Sequence, residues 1–497
     1  DRLGEKPFFY ASERNGLVFG SEIKALLAAG IPRTINEQML YGYFRNPSNA
    51  AVRGSFDGTY YEGILKLPSA TYLTVSNGVP KHRQRYWKLD LAEPGSISFD
   101  DAKEKFTEMF TGSVRLRLRS DVEVGSSLSG GIDSSGIVCT IPRVAAGGTK
   151  YNTFSARFKN FEADEGEYID EVNRAAGTVA HSVYPTEDDL AAGIAAMFYY
   201  QDEPLESSSA FAQWSVMRLA SSAGVTVLLD GQGGDELAAG YHSYFEPHLR
   251  DLWRRDPAMG KSEATAIRQR FNIRLDDNSG DAGATNGNGS SVRAMAMRQR
   301  TRRALSQTPL VRAMPAGGTF LSRSFLWANG EDQRGLNLPL EGTLSEALKS
   351  DLIDGKLEHY LRYADRNSMA HSREVRLPFL SHRLIEFMFS IPSEYKIRDG
   401  WPKYLVRSAF QGLVPEKILW RKEKVGFATP EARWMHSEAM KPLVTEAREY
   451  LTREGILNRR WKDTGDRNWQ MVMAYLLVSG SSNASTRPLS NAAFGAT

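Results

Sequence analysis

Two short stretches concentrate residues that could handle a charged ligand. The first, SSLSGGIDSSGIV (126–138), sets Gly130, Gly131 and the hydroxyls of Ser129, Ser134 and Ser135 around Asp133, at a turn from a strand into a helix. Glycines let the backbone approach a ligand closely, and unpaired amides at a helix start favour anions. A carboxylate beside a phosphate repels it unless a cation intervenes, so the pattern calls for magnesium between Asp133 and a pyrophosphate. The second stretch, LLDGQGGDELAAGY (228–241), follows another apolar strand and turns through Gly231, Gly233 and Gly234 into a helix opened by Asp235 and Glu236. Acidic residues are favourable in a first helical turn without any function, which suffices for Glu236. Asp235 is expected as a second magnesium ligand, because both loops would open on the same edge of a sheet. Other phosphate motifs fail: the GKS at 260–262 has Arg255 where a Walker loop needs glycine, and GQGGDE ends in Glu236 where a dinucleotide fingerprint needs glycine.

The elements that must position these loops follow from periodicity. Residues 7–92 hold short β-like runs, PFFYAS, GLVFGS, ATYLTVSNG and RYWKLDL, with SNG as a hairpin turn. From 98 the pattern changes: Ser98 and Asp101 resemble a capping box, and Ala102, Phe106, Met109 and Phe110 recur at helical spacing. Next come VEV with Leu128, a helix from Ser134, the strand NTFSARF, a helix near Glu165–Ala176, HSVYPT, a helix through FAQWSVMRLASSAG and the strand VTVLL. Strands alternating with helices predict an α/β fold, a parallel sheet covered on both faces with ligands at its carboxyl ends. Residues 335–480 read as mostly helical.

The 497 residues exceed one ordinary core, so two or three domains are expected. Lys and Arg number 62 against 59 Asp and Glu, too even a balance to argue for nucleic acid or an anionic membrane. No run of about 18 apolar residues suggests a membrane helix. The single cysteine, Cys139, excludes an internal disulfide framework or a Cys-rich metal site, which fits a reducing, cytoplasmic setting. The segment 275–291 is rich in Gly, Asn, Asp and Ser and reads as a flexible insertion; the arginines of 293–303 read as a solvated helix face, and the tail from Ser481 as frayed.

SGGIDSS resembles the PP-loop of ATP pyrophosphatases, which implies cleavage of ATP between its α and β phosphates. Together with DGQGGDELAAGY it is similar to the synthetase domain of glutamine-dependent asparagine synthetases. So are LRYADRNSMAHSREVRLPFLSHRLIEF (361–387), KYLVRSAFQGLVPEKIL (403–419) and RKEKVGFATP (421–430), while DRLGEKPFFYA, SEIKALLAAG and YYEGILKLPSATYLTV look like the second half of that family's glutaminase domain. The resemblance implies a partial Ntn-type glutaminase domain over 1–92 and, over 98–480, a doubly wound PP-loop domain with a helical C-terminal part. It implies ATP and Mg2+ as the ligands, aspartate and ammonia or glutamine as small-molecule substrates, and an acyl-adenylate from which ammonia displaces AMP. By position, Ser129, Gly130, Gly131, Asp133, Ser134 and Ser135 would cradle pyrophosphate, Asp133 and Asp235 would hold magnesium, and Leu128, Ala156, Asp230 and Gly231 would contact the nucleotide. Asp230 stands where the family usually has serine. Glu374 in REVRLPF matches a glutamate near the reacting acyl group, suited to take a proton from the incoming amine; the ordinary alternative is a salt bridge to Arg373 or Arg376. Lys424 in KVGF matches a lysine facing the phosphates, with Lys422 as its rival.

The family's glutaminase nucleophile is an N-terminal cysteine, whereas residue 1 is Asp1. A fragment without glutamine hydrolysis, able to use free ammonia, is therefore expected. A homodimer is a candidate state, since the family's glutaminase domain often takes part in dimerisation. Two other readings stand beside it: a β-lactam synthetase-like or lasso-peptide cyclase-like enzyme acting on another carboxylate, and a nucleotide-binding remnant without catalysis.

Overall fold

The computed structural model describes residues 1–13, 16–47, 57–91, 95–145, 150–273, 319–329, 342–353, 355–422, 427–462 and 464–482. The expected insertion 275–291, the arginines of 293–303, Lys424 and the tail beyond residue 482 lie outside them.

Near the amino terminus, β1 (Phe9–Glu13) pairs antiparallel with β2 (Gly16–Gly20) and with β3 (Leu65–Lys66). A hairpin follows, β4 (Thr71–Ser76) with β5 (Val79–Arg85). Asn77 (φ 51°) and Gly78 (φ 74°) form its two-residue turn, the positive-φ pair that matches the twist of a hairpin. The SNG expectation holds; the second strand, however, is VPKHRQR rather than RYWKLDL, because the turn's register pairs Ser76 with Val79 at once. The helices α1 (Ile23–Ala28) and α2 (Glu37–Arg45) complete this part.

The helix α3 (Phe99–Arg117) starts where expected, with the Ser98 hydroxyl accepting from the Asp101 amide. It leads into a five-stranded, all-parallel sheet: β6 (Val124–Ser127), β7 (Asn152–Ala156), β8 (Val179–Val183), β9 (Val227–Leu229) and β10 (Glu374–Arg376). The spatial order is β10-β9-β6-β7-β8. The chain first winds outward from β6 through α4 (Ile132–Val144) and α5 (Gly166–Ala176) to β8. It then returns through α6 (Glu187–Gln201) and α7 (Ser209–Ser222) to β9 on the other side of β6. Right-handed crossovers put the outward helices on one face and the returning ones on the other. α7 packs on β7 and β8, and the helix Lys356–Ala370 packs on α6, α7 and β10. Phe154, Val227, Leu228 and Leu229 are all buried, as a strand covered on both faces requires.

The reversal between β6 and β9 opens a crevice at their carboxyl ends. The edge strand β10 lies inside the stretch read as helical. Three residues are too short a run to show alternation, and only pairing with β9 makes them a strand.

The amino-terminal part docks on the sheet domain through buried polar contacts. Glu203 accepts from the Tyr60 amide (3.2 Å) and pairs with the buried Arg362, while Asp202 accepts from the Ile23 amide (2.9 Å) and from Lys24 (3.2 Å). The Tyr43 hydroxyl and the Trp469 indole both donate to the Leu205 carbonyl. One continuous apolar cluster, from Leu3 to Leu477, runs through both parts.

Candidate active site

A cavity of about 400 Å³ lies at the carboxyl ends of β6 and β9. Its floor is the loop Leu128–Gly131 with the first turn of α4. Gly130 is left-handed (φ 79°), and a Cβ on it would stand 3.1 Å from Tyr168 Cβ. The loop ties itself together: the Ser129 amide donates to Ser134 Oγ (3.2 Å), Ser134 Oγ donates to the Gly131 carbonyl (3.2 Å), and the two serine hydroxyls meet at 3.1 Å. Gly131 caps α4 without a side-chain bond, so the helix presents backbone amides at the cavity floor. Leu128, Phe154 and Ala156 form an apolar wall beside it.

The second loop, Asp230–Gly233, packs directly on the first. Asp230 Oδ1 accepts from the Gln232 amide (3.1 Å), and burial pushes the Asp230 carboxyl above its ordinary range. The short helix α8 (Gly234–Ala238) then brings Asp235 to face Asp133. Glycine is required for this approach, since a Cβ at Gly234 would lie 2.5 Å from Asp133 Cγ.

Between the two carboxylates stands Lys403. Its Nζ lies 2.5 Å from Asp133 Oδ2 and 2.6 Å from Asp235 Oδ1, with the lysine side chain buried. Burial alone would discharge the ammonium; the two carboxylates outweigh it and hold the pKa above the ordinary lysine range. Lys403 has φ 56° and follows the small hairpin of Ile397–Arg398 with Trp401–Pro402, which aims it inward. Arg407, Arg421 and Lys422 also line the cavity, and Arg421 pairs with Glu165 (2.6 Å) while its guanidinium lies 3.9 Å from the Tyr168 ring centre. Glu206, Glu236, Tyr360 and Tyr363 are further residues of the cavity lining.

The structure thus gathers Leu128, Ser129, Gly130, Gly131, Asp133, Ser134, Ala156, Asp230, Gly231 and Asp235 around one cavity. Two residues depart from expectation. Ser135 is fully buried beneath the loop and does not line the cavity, because α4 turns it toward the core. Glu374 pairs in register with Val227, the first residue of β9, so it sits at the amino end of the sheet, away from the loops. Its Oε1 accepts from Arg376 Nε (2.7 Å), the ordinary alternative named above. Lys422 lines the cavity, while Lys424 is outside the described residues. Lys403 was missed, although KYLVRSAF begins with it: a lone lysine carries no spacing signal.

Among the described residues no three His, Cys, Asp or Glu converge on a metal position. Two facing aspartates do suit magnesium, which keeps several waters and binds through one or two carboxylates plus substrate phosphates. That a cationic group already bridges this pair shows that the donors converge as a cation site needs.

Residues 105–474 match the family model described as asparagine synthase, and residues 1–87 match the glutamine amidotransferase domain. The chain is 29% identical to asparagine synthetase [glutamine-hydrolyzing] 3 of Bacillus subtilis, covering 85% of this chain and 63% of that protein. It is 26% identical to asparagine synthetase [glutamine-hydrolyzing] 1 of the same organism, over 88% and 66%. It is also 24% identical to the amidase chry2 of Gibberella zeae, over 93% and 71%. The chain therefore spans somewhat under two thirds of the two bacterial synthetases. With most of its length matched by the family model and its glycine loops built into one cavity, the chain belongs to the asparagine synthase family.

Proposed function

We propose that this chain is an ATP-dependent amide-forming synthetase that activates a carboxylate as its acyl-adenylate, with aspartate as the carboxylate and asparagine as the product. The observation that carries the reading is the convergence of Asp133 and Asp235, from two separate strand ends, on one cation position beside the uncapped start of α4. In this reading the α4 amides with Ser129, Gly130, Gly131 and Ser134 hold the pyrophosphate portion of ATP. Leu128, Ala156, Asp230 and Gly231 face the nucleoside and α-phosphate. Asp133 and Asp235 hold Mg2+, which when bound neutralises phosphate charge and favours departure of pyrophosphate.

The substrate carboxylate oxygen bonds to the α-phosphorus as the α,β bridging bond breaks. Ammonia then attacks the acyl carbon, AMP leaves, and the amine nitrogen gives up a proton. Arg421, Lys422 and Lys403 supply positive charge along the cavity where phosphoryl charge builds, and Lys424 is proposed for the same work. Glu374 is given no role in the chemistry, since the parallel register holds it at the amino end of the sheet, away from the loops at the carboxyl ends.

A second reading keeps the adenylation and changes the carboxylate. Glu206, Glu236, Tyr360 and Tyr363 line the cavity and suit the ammonium that aspartate shares with other amino-acid carboxylates. No described helix is long and apolar enough to cross a membrane.

The test is release of pyrophosphate and AMP from ATP, Mg2+ and ammonium chloride, with and without aspartate. Aspartate-dependent release with asparagine formed is the expected result. Release that other amino-acid carboxylates stimulate and aspartate does not would favour the second reading. ATP binding with no release for any carboxylate would sink both in favour of a remnant without catalysis.

A further inference from the structure

The position between Asp133 and Asp235 holds a cation that belongs to the chain itself, the Lys403 ammonium at 2.5 and 2.6 Å. A magnesium ion ligating the same oxygens at about 2.0–2.1 Å would overlap it. Two cations cannot share this buried spot, because their repulsion at such separations is large where water is excluded. For a free divalent ion to enter, the ammonium would have to leave both carboxylates, and parting a buried charge from its partners is strongly unfavourable. A polyphosphate alters that balance by bringing an anion along with the metal. Lysine suits such an exchange: its point charge rides on a flexible stem and can reach a phosphate oxygen while the backbone stays put. The surroundings are cut to this side chain, since a Cβ at Gly240 would lie 2.3 Å from Lys403 Cε and 1.8 Å from Asp235 Oδ1.

We propose that Lys403 is an internal counter-ion that keeps the Asp133–Asp235 pair closed to free divalent cation, so that metal enters only together with a polyphosphate, to which the ammonium then turns. This rests on reading the cavity as a site for ATP and magnesium, and it adds an order of binding: metal and nucleotide arrive as one complex.

Paramagnetic resonance of Mn2+ with the full chain tests it without recourse to turnover. Wild type is expected to bind free Mn2+ weakly and to bind it at least about tenfold more tightly once a non-hydrolysable methylene-bridged ATP analogue is added. Lys403→Met is expected to bind free Mn2+ at least about tenfold more tightly than wild type, and the further change Asp133→Asn should abolish that gain. Tight nucleotide-free binding to wild type that Asp133→Asn removes would overturn the proposal, as would a folded Lys403→Met variant with unchanged affinity. If Lys403→Met does not fold, the wild-type comparison with and without the analogue decides alone. Failure of wild type to bind the analogue at all would sink the ATP reading instead, and the free-Mn2+ arm would still report on the lock.

Discussion

Glu374 and Arg376 lie two residues apart on one face of the edge strand β10, and their side chains pair at 2.7 Å. Arg376 reaches on to the carbonyls of Arg117 and Arg119, at the turn that leads from α3 into β6. The pair therefore fastens the amino edge of the sheet. Glu374 is about half exposed, and such pairs contribute only about 0–1 kcal/mol. Glu374→Gln is expected to lower stability by no more than that and to leave pyrophosphate release within about tenfold of wild type. Urea unfolding and a pyrophosphate assay on one preparation check both; a loss of a thousandfold with the fold intact would return Glu374 to the chemistry.

Gly240 stands where any side chain would displace Asp235 and Lys403. Gly240→Ala should leave the far-ultraviolet circular dichroism unchanged while lowering metal-dependent pyrophosphate release by about a hundredfold or more, as displacement of catalytic groups by about an ångström does. Activity near that of wild type would show that the two carboxylates tolerate rearrangement.

Glu203 and Arg362 form a buried pair where the amino-terminal part meets the sheet domain. Burial opposes the guanidinium charge, and Glu203 more than offsets it, so the Arg362 pKa lies above its ordinary value. Glu203→Gln keeps the shape and removes the counter-charge, which should cost roughly 3–5 kcal/mol. Thermal unfolding should show an earlier transition, with limited proteolysis cutting first in residues 1–92.

Lys396 is fully buried, its Nζ 3.4 Å from the Ile391 carbonyl, and burial pushes its pKa down to about 7 although Glu394 pulls the other way. Between about 7 and the ordinary 10.5 the unfolded chain binds the proton and the folded chain does not, so this residue's contribution to stability rises with pH across that window. Lys396→Met should stabilise the protein by roughly 1–3 kcal/mol at pH 7 and flatten that rise. Denaturant midpoints for both proteins at pH 6.5, 8 and 9.5 would decide; parallel curves would mean that the amine stays charged when folded.

Features set by neighbouring residues can be read directly from the chain. Glycine-rich strand-to-helix loops announce themselves because tight turns, close backbone approach and helix-start acids are properties of neighbouring residues. Hence the loop at 128–135, the turn at 230–236, their place at the carboxyl ends of parallel strands and the Asn77-Gly78 hairpin turn were legible before any coordinates. The strand of three residues at 374–376 was not, since nothing within it distinguishes a strand from a helical fragment; pairing with Val227–Leu229 alone defines it. That pairing decided the place of Glu374, because a parallel register carries one end of each strand toward the crevice and the other away from it. The tertiary structure alone decided Lys403 as well. The lysine is 270 residues from Asp133 in the chain, and an ammonium takes its role from whichever carboxylates the fold sets around it.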